Sequence, residues 1–157
     1  MIMKKILTVV ILLLVVITAE AQYKGQWRAI HAYEIPGDTP FLGMNFTAEY
    51  FPSNYFSIAP GFTFFTPATG NARGFDINAR YYLTEKEREW YVTAGYGFYR
   101  RVFEFNPQGR FDFNSLNLGA GGMIKLSDEI GINPEVRFQA FGRNALVFKL
   151  GVVYFIN

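Results

Sequence analysis

The sequence predicts an all-β protein, an eight-stranded antiparallel up-and-down transmembrane β-barrel that follows a cleaved signal peptide. Three observations favour this fold. The first residues have the pattern of an export signal, the rest of the chain alternates apolar and polar side chains over eight segments, and in six of these segments the apolar row carries no charge. Strands of this kind expose apolar side chains on one face.

The composition agrees with strands and excludes several classes of protein. The 157 residues include 17 Phe, 10 Tyr and 15 Gly, which favours strands and tight turns. The formal net charge of +2 is too small to indicate a nucleic-acid partner. Because the chain has no Cys, it has no disulfide, no Cys-based zinc site and no thiol nucleophile. Beyond residue 18 no apolar stretch could cross a bilayer as a helix, which excludes a polytopic helical protein.

Residues 1–21 have the pattern of a signal peptide. Lys4 and Lys5 are a positive n-region, residues 6–17 are an apolar core, and Ala19-Glu20-Ala21 is a small-x-small cleavage site. We therefore expect the barrel domain to comprise residues 22–157. The alternative, an uncleaved membrane anchor, is disfavoured because the apolar core is shorter than the roughly 20 residues that a helical span needs.

Eight segments of alternating polarity follow, separated by short runs of Pro, Gly, Asn, Asp, Ser or charged residues. Taken alternately, the seven connections fall into two groups, so an up-and-down barrel would carry both termini at one end. All seven connections are short. The predicted strands are residues 25–35, 41–51, 55–66, 73–83, 89–105, 111–126, 131–141 and 144–156.

The choice of outward face separates a membrane barrel from a soluble lipocalin-type barrel, which has the same period with the opposite phase. The polar rows are rich in Gly, Ala, Ser, Thr and Asn, which makes a poor soluble surface but fits a cramped barrel interior. The apolar rows suit lipid, because a charge at the membrane midplane is costly. We therefore predict apolar side chains outside and polar ones inside. In the second segment the apolar row is Leu42, Met44, Phe46, Ala48 and Tyr50, and the polar row is Gly43, Asn45, Thr47 and Glu49.

Two segments fit this pattern less well. In the first, either Arg28 and Glu34 point inward and His31 faces lipid, or His31 points inward and the charges lie at the two interfaces. In the fifth, the phase breaks at Arg100-Arg101, which predicts a bulge or the end of the membrane-embedded part.

This phase places charged side chains in the lumen. Three acids facing four or five bases in a narrow interior should form a hydrogen-bonded network, since an unpaired charge there is very costly. We expect this network to plug the barrel; a narrow ion pathway that favours anions is the alternative. The predicted lumen residues are Glu49, Asp76, Arg80, Lys125, Glu135, Arg137 and Lys149, with Arg101 as a further candidate.

The C-terminal run resembles the β-signal of outer-membrane barrels, with its positions filled by Lys149, Gly151, Tyr154 and Ile156. As a whole, residues 22–157 resemble the small eight-stranded outer-membrane proteins of the OmpX/OmpA type. The resemblance implies insertion by the barrel-assembly machinery, contact with outer-membrane lipid and localisation in the outer membrane of a Gram-negative cell.

Catalytic signals are weak, and we expect no catalytic, cofactor or metal site. The one histidine, His31, would be needed for a lipase of the lipid A deacylase type, but those families place His and Ser close together late in the chain. One His and scattered carboxylates make no metal site. The sequence thus favours a structural or surface-interaction role over a lipid-modifying enzyme or a soluble lipocalin-like lipid carrier, although Gly25-Gln26-Trp27 resembles the lipocalin G-x-W opening. The candidate partners for His31 are Glu34 and the serines Ser53, Ser57, Ser115 and Ser127.

Overall fold

The computed structural model describes residues 24–84, 88–106, 108–142 and 144–156, so the predicted signal peptide lies outside the described residues. The described residues form eight strands, in the number and order that the sequence predicts. The strands are β1 (Trp27–Pro36), β2 (Gly43–Tyr50), β3 (Phe56–Phe65), β4 (Asn71–Tyr82), β5 (Arg88–Val102), β6 (Arg110–Lys125), β7 (Ile130–Ala140) and β8 (Ala145–Ile156).

The strands form one closed antiparallel barrel in which each pairs with the next along the chain. β8 returns to β1, with a register that runs from Trp27 opposite Ile156 to Pro36 opposite Val147. Closure leaves no strand edge, so ladder hydrogen bonds satisfy the backbone of both terminal strands. The predicted eight-stranded antiparallel up-and-down barrel is confirmed.

The described part of the chain contains no helix long and apolar enough to cross a membrane.

The barrel has the predicted phase, with apolar side chains outside and polar ones inside. Leu118 and Val92 are 56% and 47% exposed, whereas Glu49 and Arg137 are 0% and 1% exposed. The alternation is strict in β8, where every second residue from Leu146 to Ile156 is exposed. A soluble lipocalin-type barrel would have the opposite arrangement.

The structure resolves the ambiguity of the first segment. Arg28 and Glu34 are buried inside the barrel. His31 points outward, where its ring lies 4.7 Å from that of Phe46, its partner across the β1–β2 ladder. The first strand therefore obeys the same rule as the others, with its charges in the lumen.

Of the two alternatives that the sequence left open at Arg100-Arg101, the bulge is wrong. The β5–β6 register continues without interruption, with Arg100 opposite Asp112 and Arg101 opposite Phe111. The ladder persists because β4 also extends alongside β5, up to the pairing of Asn71 with Val102. What changes at Arg100 is the chemistry of the outward row, which carries a charge at this position, between Phe98 and Val102.

Apolar clusters fill both ends of the interior. One lies at the end that carries the termini, and the other lies at the opposite end, which we call the loop end. The first comprises Ile30, Ala32, Phe51, Tyr82, Tyr91, Met123, Val153 and Phe155. The second comprises Phe41, Phe65, Ala72 and Tyr99, with Phe113 packed against it.

Glycine makes room for the large interior side chains. A Cβ atom at Gly121 would lie 2.5 Å from the Tyr91 hydroxyl oxygen, so only glycine lets this tyrosine lie flat across β6. Gly121 and Tyr91 are direct partners in the β5–β6 ladder. Glycines in the polar rows are therefore explained by packing, as expected for a narrow lumen.

We predict that Leu118→Arg lowers the free energy of unfolding in lipid by about 2–4 kcal/mol, because Leu118 lies outward at mid-strand, where lipid cannot solvate a charge. Leu126→Arg is the matched control: this exposed residue follows the end of β6, and we expect a loss of about 0–1 kcal/mol there. Denaturant unfolding in vesicles measures both. Equal losses at the two positions would contradict the assigned outward face.

Candidate functional site: the interior charge network

Two arginines organise the centre of the lumen. Arg80 on β4 lies 3.3 Å from Glu49 on β2 and 2.7 Å from Glu135 on β7. Arg137 on β7 lies 2.9 Å from Glu34 on β1, 3.0 Å from Asp76 on β4 and 3.3 Å from Glu135. Because each arginine contacts carboxylates from different strands, the network joins walls of the barrel that do not pair with each other.

A third arginine closes the end near the termini. Arg28 Nη1 donates to Glu89 Oε2 at 2.7 Å, and this pair joins β1 to β5, the strand opposite it in the barrel. The guanidinium also stacks on Phe51 and Phe155, with its Cζ atom 4.5 Å and 5.0 Å from the ring centroids. Cation–π contacts of this kind favour a desolvated arginine.

Hydroxyl groups complete the coordination of the buried carboxylates. Glu49 Oε1 accepts hydrogen bonds from Tyr82 at 2.7 Å and from Ser57 at 2.5 Å. Glu135 Oε2 accepts one from Tyr91 at 2.6 Å. The carboxylates therefore have donors from both arginine and neutral side chains, which offsets the cost of burying them.

Most of the predicted lumen residues lie inside the barrel. Lys125 instead lies at the mouth near the termini, with its side chain 33% exposed and its Nζ atom 3.9 Å from Glu89. Arg101 lies toward the loop end, where its Cζ atom is 4.7 Å from the centroid of the Phe41 ring. The buried members of the predicted set are Glu49, Asp76, Arg80, Glu135, Arg137 and Lys149.

The prediction missed three buried charges: Arg28, Glu34 and Glu89. Arg28 and Glu34 belong to the first segment, for which two orientations are possible from sequence, and Glu89 is the first inward residue of β5, two residues before the buried Tyr91. Among the described residues the buried charges are five acids and four bases, so the buried set has no surplus of base, whereas the predicted set also counted Lys125, which lies at the mouth. The acids are Glu34, Glu49, Asp76, Glu89 and Glu135, and the bases are Arg28, Arg80, Arg137 and Lys149.

The four residues of the β-signal pattern divide between the two faces of β8. Lys149 is buried and donates to Thr47 Oγ1 at 3.2 Å. Gly151 lies at the closing seam, where a Cβ atom would come within 2.7 Å of the Ala32 Cβ atom. Tyr154 and Ile156 are exposed on the outside. The pattern thus combines close approach to β1 with an apolar outer face.

Among the described residues, the geometry does not assemble a catalytic triad around His31. His31 faces outward, whereas Ser57 and Ser115 are buried in the lumen. Ser127 caps the turn before β7 by accepting a hydrogen bond from the Ile130 amide at 3.1 Å. Within residues 24–156, as far as they are described, no group of three His, Asp or Glu residues could hold a metal ion.

Comparison with known proteins matches this architecture at the level of structure. Neither a protein-family model nor a curated protein matches the sequence. The N-terminal β-barrel domain of Pseudomonas aeruginosa OprF aligns with a TM-score of 0.75 and 14% identity, over 86% of this chain and 100% of that domain. The chain has the fold of the small outer-membrane β-barrels.

Two further structures have the same fold. The outer-membrane protein OprG of Pseudomonas aeruginosa aligns with a TM-score of 0.61 and 13% identity, over 88% of this chain and 100% of that chain. Ail, the attachment invasion locus protein of Yersinia pestis, aligns with a TM-score of 0.54 and 16% identity, over 84% and 99%. These barrels confirm the OmpX/OmpA-like architecture, and they agree with the outer-membrane localisation that the sequence predicts.

We predict that Arg137→Met lowers the free energy of unfolding by about 3–5 kcal/mol, because it leaves the buried Glu34 and Asp76 carboxylates without their arginine partner. Arg88→Met is the matched control, since Arg88 is exposed at the start of β5, and we expect a change of about 0–1 kcal/mol there. Equilibrium unfolding of the folded barrel measures both. A loss below that of the control would show that the network adds no stability.

Proposed function

We propose that this chain is an integral outer-membrane protein with a closed lumen, and that its role is structural or one of surface interaction. The observation that carries the proposal is the set of ion pairs that cross the interior, from β1 to β5 and from β7 to β1 and β4. An ion that passed through would have to separate buried pairs, and breaking one costs about 3–5 kcal/mol.

The apolar clusters at the two ends support a closed lumen. Phe51, Tyr82 and Tyr91 pack across the interior at the end with the termini, with the Tyr82 ring 5.2 Å from each of the other two. At the loop end, Phe65 and Phe113 contact Tyr99, with ring centroids 5.4 Å and 4.8 Å from it. Water and ions would meet a layer of rings on either side of the charge network.

The proposed partners follow from the outer surface. Outer-membrane lipid would contact the exposed apolar row of every strand, as Leu118 and Val92 illustrate. The barrel-assembly machinery would recognise β8 during insertion, through the pattern that Gly151 and Tyr154 share with the β-signal. Short connections at the loop end limit the area available to an extracellular partner.

Planar-bilayer recording tests the closed lumen. We expect no stepwise conductance from the wild-type barrel, because the ion pairs and ring layers fill the lumen. The variant Arg80→Ala/Glu135→Ala/Tyr82→Ala/Tyr99→Ala removes a central ion pair and one ring from the layer at each end, and it is expected to conduct. A mobility shift on boiling, which reports a closed barrel, controls for folding of both proteins. Steady channel openings of the wild type would contradict the proposal.

The non-enzymatic role has its own test. We expect His31→Ala to leave the acylation of lipid A unchanged in the host membrane, because His31 faces outward, away from the buried Ser57 and Ser115. Mass spectrometry of extracted lipid A measures the number of acyl chains. Tyr33→Ala, which alters the neighbouring outward position, is the matched control. A change in acyl number that is specific to His31→Ala would favour a lipid-modifying enzyme.

A further inference from the structure

The outer surface of the barrel becomes basic on one side of the loop end. On β4, β5 and β6 the outward row there carries Arg73, Arg100, Arg110 and Asp112. At the same end the outward positions of β1 and β8, and the exposed residue just before β2, are apolar, namely Ile35, Leu146 and Leu42. We call the four charged residues the rim patch.

Two positive charges face each other directly in the rim patch. Arg73 and Arg100 are cross-strand partners in the β4–β5 ladder, and like charges in this position are destabilising. Asp112 compensates for Arg100, with Arg100 Nε donating to Asp112 Oδ1 at 3.0 Å. The same carboxylate accepts a hydrogen bond from Arg110 at 2.5 Å. Arg100 and Arg110 thus share one acid, and among the described residues no carboxylate forms a salt bridge with Arg73.

The strand geometry places this patch at the edge of the apolar belt. Directly below it on β5 lies Phe98, whose ring centroid is 5.3 Å from the Arg100 Cζ atom. The outward row of β5 is apolar from Trp90 to Phe98 and ends in arginine on both sides, at Arg88 and Arg100. Twelve residues of tilted strand cover roughly 30 Å along the barrel axis, slightly more than the roughly 25 Å of an apolar band. Arg100 therefore reaches the depth of lipid headgroups.

We propose that the rim patch binds the phosphate groups of anionic lipid in the leaflet at the loop end. A guanidinium presents paired N–H donors that match phosphate oxygens, and Arg73 and Arg100 could hold one phosphate between them. Such an anion would remove the repulsion within the pair. The source is lipid, because these side chains project outward from the barrel wall at headgroup depth. This inference rests on the proposed membrane insertion.

Native mass spectrometry of barrels extracted from phosphatidylcholine vesicles tests the site. The vesicles contain either diphosphorylated lipid A or the same lipid with its phosphates removed. We expect the wild type to retain the diphosphorylated lipid about tenfold better, because only this lipid offers the charge-assisted hydrogen bonds. Arg73→Gln/Arg100→Gln should lose the preference, and Arg73→Gln alone, which keeps the Arg100–Asp112 pair, should weaken it.

Arg88→Gln is the matched control. It removes the same charge from the outward row of the same strand, but at the other end, where the partner on β6 is Ile124. We expect this variant to keep the preference. Equal retention of both lipids by the wild type, or an equal loss of the preference in Arg88→Gln, would overturn the site. Failure of the wild type to float with vesicles would instead overturn the proposed function, and this site with it.

Discussion

The absence of water in the hydrocarbon layer is the constraint on which the rest of this structure depends. A backbone amide or carbonyl that faces lipid without a partner costs several kcal/mol, so a sheet can cross the membrane only if its last strand pairs with its first. Here the closing ladder runs the full length of β1. The seam is tight because Gly151 faces Ala32 there, and a larger residue at either position would hold the two strands apart.

Closure of the barrel also constrains the side chains of the interior. Eight strands enclose a space that side chains fill, so charged residues in the lumen must satisfy one another. Large and small residues therefore alternate around the wall: Tyr91 lies over Gly121 and still donates to Glu135. Packing and charge pairing therefore depend on the same side chains, since the Tyr91 ring that fills the lumen also carries the hydroxyl that donates to Glu135.

Period-two patterning was enough to predict the number and order of the strands and the phase of all but the first, because lipid enforces an apolar outer row on each of them. It was not enough to predict the ion pairs. Arg28 and Glu89 are far apart in sequence and meet only because β1 and β5 face each other across the closed barrel. Lys125 is at an inward-facing position in the alternation of β6, but it is the last residue of that strand, so its side chain reaches the mouth instead. The alternation along a strand determines whether a side chain faces inward or outward, and its position along the barrel axis determines which side chains it contacts.

Position along the barrel axis also explains where charged residues occur on the outer face. Within the apolar belt an outward charge is excluded by its cost, so the first outward arginines mark the level at which polar headgroups replace hydrocarbon. At the loop end this level carries arginines on β4, β5 and β6 and apolar residues on β1, on β8 and just before β2. A barrel that only needed to end its apolar belt could do so evenly around its circumference. Here the charge is instead concentrated on one side of the barrel, where two arginines are direct cross-strand partners. This side would attract an anionic lipid, because the lipid phosphate would offset the repulsion between the two guanidinium groups.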